Sequence, residues 1–506
     1  MLLSALILGL PLSGGSAEQE NKTGLTFEQL HDPGRKISVM TGTGDDVAVK
    51  AEFPDAEILY FNDAMLAYSS VASGKTDAHV YTKMQMELAL RNGCEGVKLL
   101  EETVGESHKV AVGISRISPI PDLTGKLNQF IAGLKADGTL DDMYNRWIVL
   151  QDETIPEIAV PEKADICLRV ATSGTEMPFT YYVGTELRGY DIEMARRFAA
   201  WLGAELKIKV YDYDGCVAAA QGGDADCIMA ELFITSERAE SIGFSDPEFL
   251  IERGVMVRDT QASGGTGSFW DAVKASFEKT FIRENRWRLF LSGIGTTLLI
   301  TALAILLGTA LGFGVFMLCR KGNPVANNLT RFFVWLIQGM PVVVLLMILY
   351  YIVFGSVSIP GTLVAVLGFT LVFGSGVYSL LKGSVATVDR GQVEAAYTLG
   401  YTDRRAFFRV VLPQAFPHFM PGYTGQITAL IKATAVVGYV AVQDLTKIGD
   451  IIRSRTYDAF FPLIAVAVFY FVLAAFLTFL VRKAGRCIDP KQRKHKALLK
   501  GVKTGD

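Results

Sequence analysis

The distribution of charge along the chain constrains its fold more than any other feature. Residues 289–319 contain no Asp, Glu, Lys or Arg, and neither do residues 332–381 or 460–481; residues 420–442 contain one charge, Lys432. A helix crossing a bilayer needs roughly 20 apolar residues. Residues 332–381 are long enough for two spans, with a break at 355–361. The pattern therefore predicts five membrane helices between 289 and 481. Residues 20–285 read as an ordinary soluble mixture, so the chain divides into a soluble half and a membrane half. The net charge of −3 gives no indication of a nucleic-acid partner.

Basic residues set the expected orientation. Arg320, Lys321 and Arg331 lie in the loop after the first span. Lys382, Arg390, Arg404, Arg405 and Arg409 lie in the loop after the third, and the tail past 481 is densely basic. With five spans these segments share one face, the cytoplasmic one, and the soluble half lies outside. Lys447, Arg453 and Arg455 fall in an outer loop and run against the rule. Lys432, the ionisable group inside a span, reads equally as a snorkelling lysine or a substrate contact. Residues 2–10 are apolar and Gly15-Ser16-Ala17 offers a cleavage site, but a basic n-region is missing. Residues 1–23 are thus a signal peptide or an N-terminal anchor.

The soluble half carries an α/β pattern. Strands are expected at 165–170, 206–210 and 225–229. Helices are expected at 191–202, with Ile192, Ala195, Phe198, Ala199 and Leu202 on one face, and at 216–221. A βαβαβ order implies a parallel sheet with ligand at the C-terminal strand ends. Ser73-Gly74-Lys75-Thr76 mimics the end of a phosphate-binding loop, but Ser69 stands where the leading Gly is required. It reads as a helix end before a strand at 77–81. The five histidines are scattered, so no catalytic constellation stands out and the chain is not an enzyme. The six cysteines have no CxxC spacing, so no metal site is expected. A disulfide among Cys94, Cys167, Cys216 and Cys227 is allowed by an oxidising location but cannot be paired from sequence.

The loop at 382–417 contains Gln392-Val393-Glu394-Ala395-Ala396, Gly400, Phe407-Phe408-Arg409 and Leu412-Pro413-Gln414-Ala415. This run resembles the EAA loop of ATP-binding-cassette importer permeases, in the polar amino acid subgroup. Gln338-Gly339-Met340-Pro341 and Leu349-Tyr350-Tyr351 resemble that subgroup's second span. The resemblance implies that Glu394, Ala395, Ala396, Gly400, Leu412 and Pro413 dock an ATPase subunit. Small Ala395 and Ala396 let a short helix pack closely, Gly400 permits a turn, and Pro413 is expected to end the second short helix. No cofactor is expected in this chain, ATP being used by the partner ATPase. In related permeases a Lys precedes Asp-Thr-Ser where this chain has Lys432-Ala433-Thr434-Ala435.

Met177-Pro178-Phe179, Gly189-Tyr190-Asp191-Ile192, Ile234-Thr235-Ser236-Glu237-Arg238 and Phe244-Ser245-Asp246-Pro247 resemble the first lobe of polar amino acid solute-binding proteins. The resemblance implies that Arg238 holds a ligand carboxylate, a task suited to a planar guanidinium. Residues 35–44, 56–61, 74–78 and 109–114 resemble the second lobe. Residues 127–147, with Ala136-Asp137-Gly138-Thr139-Leu140, resemble the closing helices that normally come last. The order second lobe, closing helices, first lobe implies a circularly permuted two-lobed domain over 24–259; two truncated domains in tandem is the competing reading. The pocket departs from the family. Phe233 replaces a small hydroxyl residue, Glu231 a Gly or Ser, and Glu176 an aromatic. Thr82 stands where an Asp holds the ligand amine, and Gly44 follows Thr43 where a hydroxyl residue is usual. A buried ammonium needs a compensating charge, which Glu176 or Glu231 could supply.

The expected fold is an α/β two-lobed solute-binding domain followed by an all-α five-helix transmembrane domain. The expected segments are lobe 2 with closing helices at 24–150, lobe 1 at 160–259, a linker and amphipathic stretch at 260–288, the permease at 289–483 and a basic tail at 484–506. Expected contacts of the ligand are Arg238, Glu176, Phe179, Glu231, Phe233, Thr43 and Thr82. The resemblance implies an importer subunit for an amino acid or similar small polar solute. Its partners would be two ATPase copies, a second permease copy in a homodimer, the solute and the bilayer, without nucleic acid. A degenerate sensor or scaffold is the alternative. A ligand-gated channel fits less well, since such channels place spans between the lobes.

Overall fold

The structure, a computed structural model, describes residues 25–152, 154–260, 269–355, 357 and 359–488. The expected leader at 1–23, the Gly/Ser linker at 263–268 and the basic tail past 488 lie outside the described residues. The chain forms two compact units. One comprises residues up to 107 and residues 252–266; the other comprises residues 108–251 and everything from 267 onward.

The first segment runs β1 (Lys36–Met40), α1 (Asp45–Glu52), β2 (Glu57–Phe61), α2 (Ala64–Ala72), β3 (Ala78–Thr82), α3 (Lys83–Arg91) and β4 (Val97–Thr103). Asp63 caps α2 by accepting from the Leu66 N–H. Ser73 closes that helix, so the Ser73-Gly74-Lys75-Thr76 run is a helix end, as its missing Gly suggested.

The second segment runs β5 (His108–Val110), β6 (Gly113–Ile114), α4 (Leu123–Ala136), α5 (Thr139–Tyr144) with a π-turn to Val149, β7 (Cys167–Thr172), β8 (Thr175–Glu176), β9 (Thr180–Val183) and β10 (Glu186–Arg188). It continues through α6 (Tyr190–Leu202), β11 (Glu205–Val210), α7 (Tyr213–Gln221), β12 (Cys227–Ile228), α8 (Ser236–Ser241), β13 (Gly243–Phe244) and β14 (Phe249–Ile251). β15 (Arg253–Arg258) then belongs to the first unit.

Each unit holds a five-stranded sheet of the same plan. The order is β2-β1-β3-β15-β4 in the first and β11-β7-β12-β6-β13 in the second. In both, three parallel strands are followed by an antiparallel strand taken from the crossing chain. The expected boundaries are corrected here. Residues 109–114, read as second lobe, supply β6 to the first-lobe sheet, and residues 253–258, read as first lobe, supply β15 to the other. Short apolar strands carry no mark of which sheet they join; the crossing decides it. The closing helices also belong with the first lobe. Glu193 on α6 is fully buried and accepts from Trp147 Nε1 (2.7 Å), Arg146 Nη2 (2.7 Å) and Arg197 Nε (2.9 Å). Three donors and two cations compensate the desolvated carboxylate, and Phe130 packs on Phe198 beside it.

The membrane part follows α9 (Phe269–Phe277). It comprises α10 (Trp287–Cys319), α11 (Pro324–Gln338), α12 (Val342–Met347, π-wound on to Val353), α13 (Gly361–Ala386), α14 (Arg390–Thr398), α15 (Asp403–Ala406, π-wound to Val411), α16 (Leu412–Ala433, then a 3₁₀ stretch Thr434–Val440), α17 (Leu445–Thr456) and α18 (Phe461–Ile488). Among the described residues three helices are long and apolar enough to cross a membrane, and two bent pairs raise the count to five if each is one span. The break near 355–361 is where sequence placed it. A second break was not expected: α11 and α12 meet at 109°. Gly339-Met340-Pro341 causes it, because Pro341 offers no N–H and disfavours a helical residue before it.

Close packing fixes α10 on α13. A Cβ on Gly312 would lie 2.5 Å from the Gly374 carbonyl oxygen, and one on Gly308 would lie 3.0 Å from the Phe373 ring. Small residues four apart let two membrane backbones approach. Pro413 is a further correction. It stands in the first turn of α16 and does not end a helix.

Candidate solute site and its seat on the membrane domain

Arg238 lies in the first turn of α8, whose start Thr235 caps by accepting from the Arg238 N–H. Its side chain is buried. Nη1 donates to the Phe233 carbonyl (3.2 Å) and, at 3.5 Å, to the Tyr213 hydroxyl, and the guanidinium lies 5.3 Å from the Tyr213 ring centroid. All these partners are neutral, and among the described residues Arg238 takes part in no ion pair. A buried cation whose hydrogen bonds go to neutral groups, with the Asp214 charge acting on it without an ion pair, can take an anionic ligand. Tyr213, at the start of α7, was missed at the sequence level. Nothing in its local pattern marks it, since its role depends on α7 and α8 meeting in space. Burial pushes its phenol up, so it remains a neutral donor, and it donates to the Glu231 carbonyl (3.3 Å).

Glu231 is buried and has φ 51°, a left-handed conformation unusual for a side-chain-bearing residue and typical of functional sites. Asp191 Oδ2 holds its N–H at 2.8 Å. Glu176, on β8, is half-buried and accepts from Thr175 Oγ1 (3.1 Å). Both carboxylates act on the Tyr213 phenol. Phe233 is fully buried and stacks on His108 at 4.1 Å, and Phe179 stacks on Phe249 at 5.8 Å. Burial raises the carboxyl pKa of Asp191 and Glu248, and in Glu248 the Asp191 charge adds to it.

The other two expected residues lie in the first unit. The Thr43 hydroxyl shares its single proton between Asp45 Oδ2 (2.6 Å) and the Met40 carbonyl (2.8 Å), and Asp45 Oδ1 accepts from Arg253 Nε (2.8 Å). Thr43 therefore serves the turn into α1. Thr82 is fully buried, and among the described residues its hydroxyl has no hydrogen-bond partner.

The lobe carrying Arg238 packs directly on the membrane helices. Tyr211, Cys216, Ala219 and Ile228 share one apolar core with Leu346, Tyr350, Val437 and Val440. Asp224 accepts from Lys209 (2.6 Å), Tyr350 (2.7 Å) and Tyr211. Burial alone would raise its pKa, but these three bonds hold it below the usual carboxylate value. Lys447 Nζ donates to Asp212 Oδ1 (2.9 Å), and Arg455 Nη2 to Glu284 Oε1 (3.0 Å). Burial would raise Glu284 as well, yet Arg455 and Arg286 keep it below its ordinary value. These pairs explain the basic residues that opposed the orientation rule. Lys447, Arg453 and Arg455 are α17 residues paired with Asp212, Asp450 and Glu284, so they are not free loop charges.

The EAA-like segment sits at the opposite end of α10. Arg320 bonds Asp403, and its guanidinium lies 4.3 Å from the Phe407 ring centroid. Glu394 and Ala395 are exposed, Ala396 is buried, and Leu399 is 79% exposed. Gly400 ends α14 with φ +80°; its N–H bonds the Tyr397 carbonyl and the Tyr401 N–H bonds that of Ala396, a glycine-dependent helix stop. Leu412 is half-buried beside Pro413. Cys94, Cys167, Cys216, Cys227 and Cys319 are free thiols, so none of the disulfides allowed by sequence forms.

Residues 304–489 match the family described as binding-protein-dependent transport system inner membrane component. The L-cystine transport system permease protein TcyB of Bacillus subtilis is 30% identical over 221 residues, 43% of this chain and 90% of that protein. The chain belongs to the binding-protein-dependent transport permeases. A putative glutamine transport system permease protein GlnP of Rickettsia typhi is 27% identical over 195 residues, 38% of this chain and 89% of that protein. Among solved structures, an amino acid ABC transporter crystallised with histidines is 28% identical, at a TM-score of 0.38, covering 44% of this chain and all of that one. The sulphonate-binding protein SsuA of Escherichia coli is 10% identical at a TM-score of 0.26, covering 49% and 72%. The permease is therefore a multi-pass inner-membrane transport subunit that also carries an α/β domain.

Proposed function

We propose that this permease imports an amino acid or similar small polar solute, received by its own fused binding domain. The carrying observation is Arg238, a buried guanidinium without an ion pair among the described residues, in a lobe that shares a core with the membrane helices. The order of segments reads as a circular permutation, because residues 108–149 complete the first lobe that follows them. Arg238 would take the ligand carboxylate, and Glu231 or Glu176 the ammonium. Phe179 and Phe233 would frame or support the pocket. ATP hydrolysis would belong to separate ATPase chains, two copies docking at Glu394, Ala395, Ala396, Gly400, Leu412 and Pro413 of a homodimer. The end of the bundle with Arg320 and the EAA-like segment would face the cytoplasm, and the lobes would face outward. Pairing of the basic α17 residues supports that orientation.

The test is a thermal-shift screen of the purified full chain against L-amino acids, L-glutamine and L-cystine included. The reading expects stabilisation by at least one amino acid, lost in Arg238→Ala and weakened in Glu231→Gln or Glu176→Gln. No shift with any amino acid would favour a sensor or scaffold with a degenerate pocket.

A further inference from the structure

Helix α7 touches the solute site at its first residue and the membrane helices along its length. Tyr213 packs its ring on Arg238 and donates to the Glu231 carbonyl. One residue earlier, Asp212 takes Lys447 of α17, and its N–H donates to the Gly438 carbonyl at 3.3 Å. The Gly215 carbonyl accepts from Tyr351 (3.3 Å), and Asp224, just past the helix, accepts from Tyr350. The single Tyr351 hydroxyl proton is shared with the Tyr439 carbonyl, the nearer acceptor at 2.8 Å. All the membrane contacts fall on the two bent pairs. Tyr350 and Tyr351 lie in the π-wound end of the first, while Gly438 and Tyr439 lie in the 3₁₀ stretch of the second, next to Ala441 at φ +56°. Irregular winding inside a helix marks a place where the backbone has alternatives. Fit is tight: a Cβ on Gly438 would lie 2.6 Å from Asp212 Oδ2.

We propose that α7 is a coupling element, in which Tyr213 senses a carboxylate on Arg238 and the Asp212–Lys447 pair passes the change to the bent fourth span. The proposal rests on the solute-site reading given above. Tyr213, Asp212 and Lys447 are then positioning residues, acting through Arg238 on one side and through the 3₁₀ stretch at 434–440 on the other. Coupling between sites is reciprocal, so a change imposed from the ATPase side must reach α7 with no solute present. Cys216 is a native reporter, fully buried on α7 with its thiol 3.7 Å from the Asp212 carbonyl.

The experiment uses the full chain with its co-purified ATPase in proteoliposomes, Cys216 being the only cysteine retained. N-ethylmaleimide labelling of Cys216 is timed in the nucleotide-free and vanadate-trapped states. The expected result is a rate change of about fivefold or more, the lower end of usual coupling factors. The change should vanish in Asp212→Asn and Lys447→Gln and return in the exchange Asp212→Lys with Lys447→Asp; a pair that only holds the fold would alter labelling equally in both states and leave their ratio unchanged. Gly438→Ala should also abolish it, and Gly425→Ala, with open space around its Cβ, should not. Equal labelling in both states of the unaltered protein, or an undiminished response in Lys447→Gln, overturns the proposal. A parallel arm adds the twenty standard L-amino acids with L-cystine. If labelling responds to nucleotide but the mixture neither shifts the melt nor stimulates ATP hydrolysis, the solute reading fails and the coupling stands.

Discussion

The two five-stranded sheets share one strand order and differ in what surrounds them. The first is enclosed by its own small core of Ile37, Val39, Val49, Phe53, Val80 and Val255. The second runs into the core of the membrane helices through Tyr211, Cys216 and Ala219. The same topology thus serves once as a self-contained lobe and once as an extension of the permease. The difference lies in side chains on the strand-end loops and on α7, not in the sheet.

Each unit holds a buried, multiply bonded carboxylate whose removal should have the largest effect. Asp45→Ala removes the carboxylate that Arg253 bonds in the first unit, and Glu193→Ala removes the one shared by Trp147, Arg146 and Arg197 in the second. Each should cost about 3–5 kcal/mol. Region-resolved hydrogen exchange on the full chain should show Asp45→Ala loosening residues 36–103 and sparing residues 167–244. The reverse is expected for Glu193→Ala, and equal loosening of both would erase the comparison.

The two sheets should also respond oppositely to pH. His79 on β3 is fully buried, and burial lowers its pKa from the ordinary 6.5 to about 4. The unfolded chain then binds more protons, so the first unit should lose stability as pH falls from about 6.5 towards 4, by about 3 kcal/mol. Asp191 and Glu248 shift upward, to about 7 and about 8. Here the folded state holds the extra protons, so the second lobe is stabilised at low pH and loses that contribution as pH rises through these values. Hydrogen exchange at pH 5 and pH 8, corrected for intrinsic rates, checks both slopes. His79→Gln should flatten the first and Asp191→Asn the second.

Arg238→Ala should weaken amino-acid binding roughly 100-fold, about 2–3 kcal/mol, as expected for a charge-assisted pair, without altering exchange in the first unit. Calorimetric titration gives the affinity. The smallest expected effect is at the other end of the bundle. Gly400→Ala has room for its Cβ but must keep φ +80°, which costs about 1 kcal/mol. ATP hydrolysis by the assembled transporter should fall a few-fold while binding at Arg238 stays constant.

Much of this was legible in sequence because it is local. Charge-free runs gave the spans, the 3.6-residue period of Ile192, Ala195 and Phe198 gave α6, and the Glu394 to Pro413 run marked the exposed segment at 390–412. What escaped is non-local. No pattern in Arg253–Arg258 says that it pairs with β3 and β4 across some 150 residues, and none in Lys447 says that Asp212 neutralises it. The bend at Gly339-Met340-Pro341 was visible as residues but hidden by the uniform hydropathy around it. In the site, Arg238 came from its motif, whereas Tyr213 is defined only by α7 meeting α8.

The late arrival of β15 has a consequence for synthesis. β4 pairs with β15, and β15 also covers the second edge of β3, a strand buried along its whole length. Until residue 258 is made, β4 lacks that partner and β3 has one open edge. At about 5–20 residues per second, the interval from Thr82 to Arg258 is on the order of 10–35 s. An apolar strand edge open for that time is an aggregation hazard. The nascent chain must therefore keep its first sheet incomplete, and protected, until the residues just ahead of the first membrane helix emerge.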